Sequence, residues 1–82
     1  MEKVINFENK VLTLAVVEKD SNWDLYYCDD DKQLYYIAKK RGCHSGWWGD
    51  LYHLKRTKIR FGFIFERITE KGLELGFDKI LN

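Results

Sequence analysis

At 82 residues the chain is long enough for one domain and too short for two. Hydrophobic residues make up 45% and aromatics 16%, which excludes the apolar-poor composition of a disordered segment. With 14 Lys and Arg against 13 Asp and Glu the net charge is +1, so no long-range pull toward nucleic acid or membrane arises from the total.

Two cysteines, Cys28 and Cys43, allow at most one bridge and exclude a disulfide framework. A core of this size supplies roughly 3–5 kcal/mol of net stability. No apolar run approaches the ~20 residues of a membrane span. Residues 1–8, Met-Glu-Lys-Val-Ile-Asn-Phe-Glu, lack the apolar stretch of a signal peptide. The expected location is cytoplasmic, with both thiols reduced. Proline is absent, alanine is scarce, and Lys, Ile, Phe, Tyr and Asn abound. These residues use A/T-rich codons, which points to a low-GC bacterium or one of its phages.

The first half reads as a four-stranded meander. Val4 to Glu8 and Val11 to Glu18 pair across an Asn9-Lys10 turn, with Phe7 opposite Leu12 and Ile5 opposite Leu14. After the polar turn Lys19-Asp20-Ser21-Asn22, Val16 pairs with Leu25 and Leu14 with Tyr27. After Asp29-Asp30-Asp31-Lys32, Tyr27 opposes Leu34 and Leu25 opposes Tyr36. That register collects Ile5, Phe7, Leu12, Leu14, Val16, Trp23, Leu25, Tyr27, Leu34, Tyr36 and Ala38 on one face. Tyr26 and Tyr35 then oppose each other on the second face, where segment 43–56 is expected to cover them.

Residues 39–49 contain three glycines and read as a loop. Asp50 is placed to cap a short helix near 50–56, with Lys55 and Arg56 toward its negative end. From Lys58 alternation returns, and Ile59, Phe61, Phe63 and Phe65 line one side of an expected strand. Glu70-Lys71-Gly72 fits a hairpin loop that opposes Phe65 to Phe77. Leu73, Phe77, Ile80 and Leu81 also sit at helical spacing. Gly76 costs a helix about 1 kcal/mol relative to alanine, so the hairpin is expected. The predicted fold is mostly β: the meander packed on a C-terminal hairpin, as a small sandwich or partly open barrel.

Two local stretches echo known folds. Ser45-Gly46-Trp47-Trp48-Gly49-Asp50-Leu51, with Arg60-Phe61-Gly62-Phe63-Ile64-Phe65, resembles the Trp-Trp strand and closing strand of SH3 domains. That family's acidic ligand loop and final proline are missing, so proline-peptide binding does not follow. Arg67-Ile68-Thr69-Glu70-Lys71-Gly72-Leu73-Glu74-Leu75 resembles the wing-to-helix tail of winged-helix regulators, without their helix-turn-helix. Each covers under a third of the chain, and neither assigns a family.

No pattern of catalytic or metal-binding residues emerges. Cys28, Cys43, His44 and His53 are four soft ligands without the paired spacing of a structural zinc site. Cys43-His44 near Lys39, Lys40 and Arg41 could lower a thiol pKa, yet no oriented base or oxyanion site accompanies it. Asp29-Asp30-Asp31 lacks the glycine and distal glutamate of a calcium loop. Neither metal nor cofactor is expected, and the chain reads as non-catalytic.

The more informative stretch is 39–60, where basic clusters (Lys39, Lys40, Arg41; Lys55, Arg56, Lys58, Arg60) flank Trp47, Trp48, Tyr52 and His53. Adjacent residues of an extended segment project oppositely, so one indole is expected at the surface. Exposed Trp with Tyr and Arg is the composition of a protein-binding hot spot. The expected function is therefore a protein-binding module using these residues. Its size and bias suggest a phage or mobile-element inhibitor that occludes a host protein. A nucleic-acid-binding domain using the same segment is the alternative, with cations on phosphates and rings on bases.

Overall fold

The computed structural model describes residues 2–61 and 65–81. The meander is present as β1 (Val4–Phe7), β2 (Lys10–Glu18), β3 (Trp23–Cys28) and β4 (Gln33–Ala38). A fifth strand, β5 (Gly46–Gly49), pairs with β4, and β6 (Phe65–Ile68) pairs with β2, all antiparallel. Three helices complete the chain: α1 (Leu51–Phe61), α2 (Glu70–Glu74) and α3 (Phe77–Leu81). The mostly β, antiparallel class expected from alternation is the class observed.

The β3–β4 hairpin has the predicted register, with Leu25 opposite Tyr36, Tyr26 opposite Tyr35 and Tyr27 opposite Leu34. The first hairpin is displaced by two residues: Ile5 faces Leu12, and Phe7 faces Lys10. The cause is the turn. Glu8 and Asn9 both take positive φ, 47° and 65°, which closes a two-residue hairpin one position earlier than an Asn9-Lys10 turn.

The larger correction lies between β2 and β3. Val16 faces Leu25 as expected, but Leu14 faces Tyr26 instead of Tyr27, with a bulge between Leu14 and Val16. One extra residue flips everything beyond it to the other side of the sheet. The single apolar face is thereby divided. Ala15, Val16, Leu25, Tyr27 and Leu34 join one core, while Leu12, Leu14, Val17, Tyr26, Cys28 and Tyr35 form another.

The second core needs a cover, and segment 43–56 does not provide it. Ile5 and Phe7 of β1 pack there instead, together with Ile37. Phe7 and Tyr35 have ring centroids 6.1 Å apart. Three strand spacings would separate them by roughly 14 Å in a flat sheet, so the sheet is coiled and β1 curls over its inner face. The Tyr26 hydroxyl donates to the Glu2 carbonyl at 2.8 Å, tying the chain's first residues to that curl. The ammonium of Lys10 lies 5.8 Å from the Tyr35 ring centroid.

The C-terminal hairpin is not formed. Backbone 58–61 continues α1 instead of starting a strand, residues 62–64 lie outside the described set, and residues 70–81 form two short helices. These helices carry Leu54, Phe77, Leu75, Ile80 and Leu81 to the outer core beside Leu51, so helix replaces the second β layer. Thr69 organises the junction. It caps α2 by accepting from the Gly72 amide, and its hydroxyl lies 2.9 and 2.7 Å from the carbonyls of Leu14 and Ala15. These two β2 carbonyls are thus satisfied from a residue more than 50 positions later in the chain.

Candidate functional site

The predicted loop 39–49 contains a strand because β4 leaves an edge to be paired. Gly46 lies opposite Tyr36, where a Cβ would come within 3.1 Å of the tyrosine hydroxyl. Gly49 has φ +146° and sits so close to His53 that a Cβ would fall 2.6 Å from its side chain. Glycine at this position lets the chain turn directly from β5 into α1. Asp50 caps the helix as expected, accepting from the His53 amide at 2.7 Å. A bulge between the Leu34 and Tyr35 pairings shortens the β4–β5 ladder.

The two tryptophans part company here. Trp48 packs against the outer core and meets His53 edge-on, ring centroids 4.6 Å apart. Trp47 is 61% exposed beside Tyr35, and its indole N–H donates to Gln33 Oε1 at 3.3 Å. One indole at the surface is the predicted arrangement. On α1, Leu54 is fully buried, whereas Lys55 and Arg56 are exposed and Tyr52 is 73% exposed.

The first basic cluster is elsewhere. The turn bearing Lys39, Lys40 and Arg41 joins the Ala38 end of β4 to β5, while α1 begins at the Leu34 end. Lys40 and Arg41 are exposed. Lys39 is engaged internally: its ammonium lies 3.3 Å from Asp24 and donates to the Glu18 carbonyl. Asp24 also accepts from the Glu18 amide at 3.3 Å. Burial raises the Glu18 carboxyl pKa, against the lowering effects of a Ser21 hydrogen bond and Lys39. Trp23 donates its indole N–H to the His44 carbonyl at 2.7 Å, and the Ala38 amide donates to the Ser45 hydroxyl at 2.8 Å. These bonds fasten the 39–45 turn to the sheet.

The residues weighed for metal or nucleophilic chemistry are dispersed. Cys28 is buried in the inner core and Cys43 sits half-buried in the 39–45 turn. Among the described residues, no three His, Cys, Asp or Glu side chains are grouped to hold an ion. In the acidic turn, Asp31 accepts from the Tyr35 hydroxyl and, at 3.0 Å, from the Gln33 amide, while Asp29 pairs with Lys71 at 3.1 Å. Burial would raise the Asp31 carboxyl, but the hydrogen bonds from Tyr35 and Gln33 outweigh it and hold its pKa low. Tyr35 is pushed well above the ordinary phenol range, by burial first and then by Asp31.

One cleft had no sequence signal. About 600 Å³ opens where β1 and β6 share the same edge of β2, lined by Lys3, Thr13, Arg67, Thr69, Lys71 and neighbouring residues. It exists because β6 docks beside β1, a pairing that no local pattern announces.

The class these features define is a coiled antiparallel sheet with a helical outer layer. No protein-family model, curated protein or solved structure matches the chain. Among the described residues, no helix is long and apolar enough to cross a membrane.

Proposed function

We propose that this domain is a non-catalytic protein-binding module whose working surface centres on Trp47, Tyr52, Lys55 and Arg56. The observation that carries the reading is Trp47: 61% exposed, with its indole N–H restrained by a 3.3 Å bond to Gln33 Oε1. An exposed indole restrained before binding loses less entropy on association, which is how an anchor residue yields affinity. Trp48 packs on the outer core and meets His53 of α1 edge-on, whereas Lys40 and Arg41 stand at the opposite end of the β4–β5 hairpin from the start of α1. The chain's size and amino-acid bias favour a phage or mobile-element product that inhibits a host protein by occluding one of its faces.

The test is affinity capture from nuclease-treated low-GC bacterial lysate. Trp47→Ala should lose the retained partner while circular dichroism is unchanged. Retention of the same partner by that variant would overturn the reading. Trp48 is unsuited to the comparison because its loss would damage the core.

A nucleic-acid reading is favoured by one observation, Tyr52 standing exposed beside Lys55 and Arg56 on a helix with no acid in its first turn. Salt separates the two. A phosphate-driven complex weakens by orders of magnitude between ~50 and ~200 mM salt, whereas one anchored by buried indole barely responds.

A further inference from the structure

The net charge of +1 conceals a segregation along the chain. Residues 39–60 hold Lys39, Lys40, Arg41, Lys55, Arg56, Lys58 and Arg60, half of the 14 cations, with Asp50 alone of the 13 acids. Asp50 is engaged in capping α1. Tyr52, Lys55 and Arg56 stand at i, i+3 and i+4, so they form one outward stripe of the helix, and all three are exposed. Lys55 and Arg56 have no carboxylate partner among the described residues; the ion pairs found engage Lys39 and Lys71. Lysine and arginine left unneutralised beside an exposed phenol ask for an anionic counterpart.

We propose that the Tyr52–Lys55–Arg56 stripe of α1 docks on an acidic protein surface. The inference rests on the protein-binding reading and adds the chemistry of the partner. Nucleic acid is the weaker fit. A strand needs cations in a continuous track along its phosphates. Among the described side chains, Lys39 is engaged by Asp24, and Lys40 and Arg41 lie at the opposite end of the β4–β5 hairpin from the start of α1. A carboxylate patch requires only the local stripe: Arg56 can take a bidentate carboxylate, Lys55 a second one, and Tyr52 supplies apolar contact.

Fluorescence anisotropy of the full chain tests this at ~20 mM salt, where surface charge acts over its longest range. The probes are a labelled poly-glutamate peptide and a labelled oligo-dT, each about 20 units long, matched in charge. The peptide should bind the native chain more tightly than the oligonucleotide does. Lys55→Glu with Arg56→Glu should weaken it about tenfold or more, since two attractions become repulsions. Tyr52→Ala should weaken it less, and Lys40→Glu with Arg41→Glu less than about twofold. Lys55→Gln with Arg56→Gln, together with circular dichroism, guards against a folding defect in the reversal. Absent peptide binding, indifference to the α1 reversal, an equal loss from the 40–41 reversal, or tighter oligo-dT binding would each overturn the proposal. Should Trp47→Ala abolish lysate capture while the α1 reversal leaves it intact, the protein-binding reading stands and the acidic partner falls.

Discussion

Gly72 offers the sharpest test of the C-terminal architecture. It lies inside α2, where replacing glycine by alanine ordinarily stabilises a helix by about 1 kcal/mol. The surroundings oppose that gain. A Cβ at residue 72 would sit 2.5 Å from the Ala15 carbonyl oxygen, 2.2 Å from Ile68 Cγ2 and 3.2 Å from the Phe77 ring. The isoleucine methyl can rotate away. The Ala15 carbonyl cannot, because it belongs to the β2 bulge and already accepts from the Thr69 amide and hydroxyl. Accommodating the methyl therefore means lifting α2 off the sheet, and overpacking of this kind costs roughly 1–3 kcal/mol and sometimes more. Contacts this short put the steric cost in the upper part of that range, about 2–3 kcal/mol, so it outweighs the propensity gain and Gly72→Ala should be destabilising by about 1–2 kcal/mol net. For a domain this small the melting temperature should fall by roughly 5–15 °C. Urea denaturation of both proteins, followed by tryptophan fluorescence, measures the difference directly. Gly76→Ala is the control: φ is +79° with open space around it, so its cost is conformational only, about 1 kcal/mol. If Gly72→Ala proved as stable as the parent, or more so, the close seating of α2 on β2 would be refuted.

Two further substitutions probe the polar junctions. Glu18 is buried and its carboxyl pKa is raised, so the folded state binds the proton more tightly than the unfolded chain does. The destabilising charge develops as pH rises from the ordinary glutamate range through the higher folded value. Glu18→Gln should accordingly stabilise the protein at neutral pH, with the advantage disappearing below that window; an advantage independent of pH would contradict the assignment. Thr69→Val keeps the shape but removes both the α2 cap and the hydroxyl bonded to β2, and should cost about 1–2 kcal/mol by chemical denaturation. A change under about 0.5 kcal/mol, the range of an ordinary surface substitution, would show the hydroxyl to be idle.

What could be read from residue order was the pairing fixed by a short polar turn. Residues 25–28 and 34–38 are continuous apolar runs on either side of Asp29–Lys32, and the β3–β4 register follows from that turn. Strand β2 is different. Val11 to Val17 is almost continuously apolar, so either register buries something, and nothing local distinguishes a bulge at the small Ala15 from regular pleating. The coiling that lets Phe7 reach Tyr35 depends on that bulge and on sheet twist, both tertiary. The tail misled for a related reason. Leu73, Phe77, Ile80 and Leu81 satisfy a helical period, while Gly72 imitates a hairpin glycine and Gly76 counts against a helix. Gly72 is small because β2 is close, which only the assembled molecule reveals. The resemblance of residues 67–75 to a strand-to-helix tail describes the local path better than hairpin chemistry did, since β6 runs into α2 there. At the candidate surface, opposite projection of Trp47 and Trp48 was legible from their adjacency. That Lys39 is spent on Asp24, and that Lys40 and Arg41 stand apart from the start of α1, was not.

The sharing of one β2 edge by β1 and β6 has a consequence for how the polypeptide is made. Thr69 reaches carbonyls 55 and 54 positions earlier in the chain, so half of that edge stays open until residues 65–69 have left the ribosome. Until then the nascent sheet presents unpaired backbone and a bare apolar outer surface, the combination that invites misassociation with other unfinished chains. Chaperone dependence during synthesis, and aggregation of products truncated before residue 65, follow from the order in which the pieces arrive.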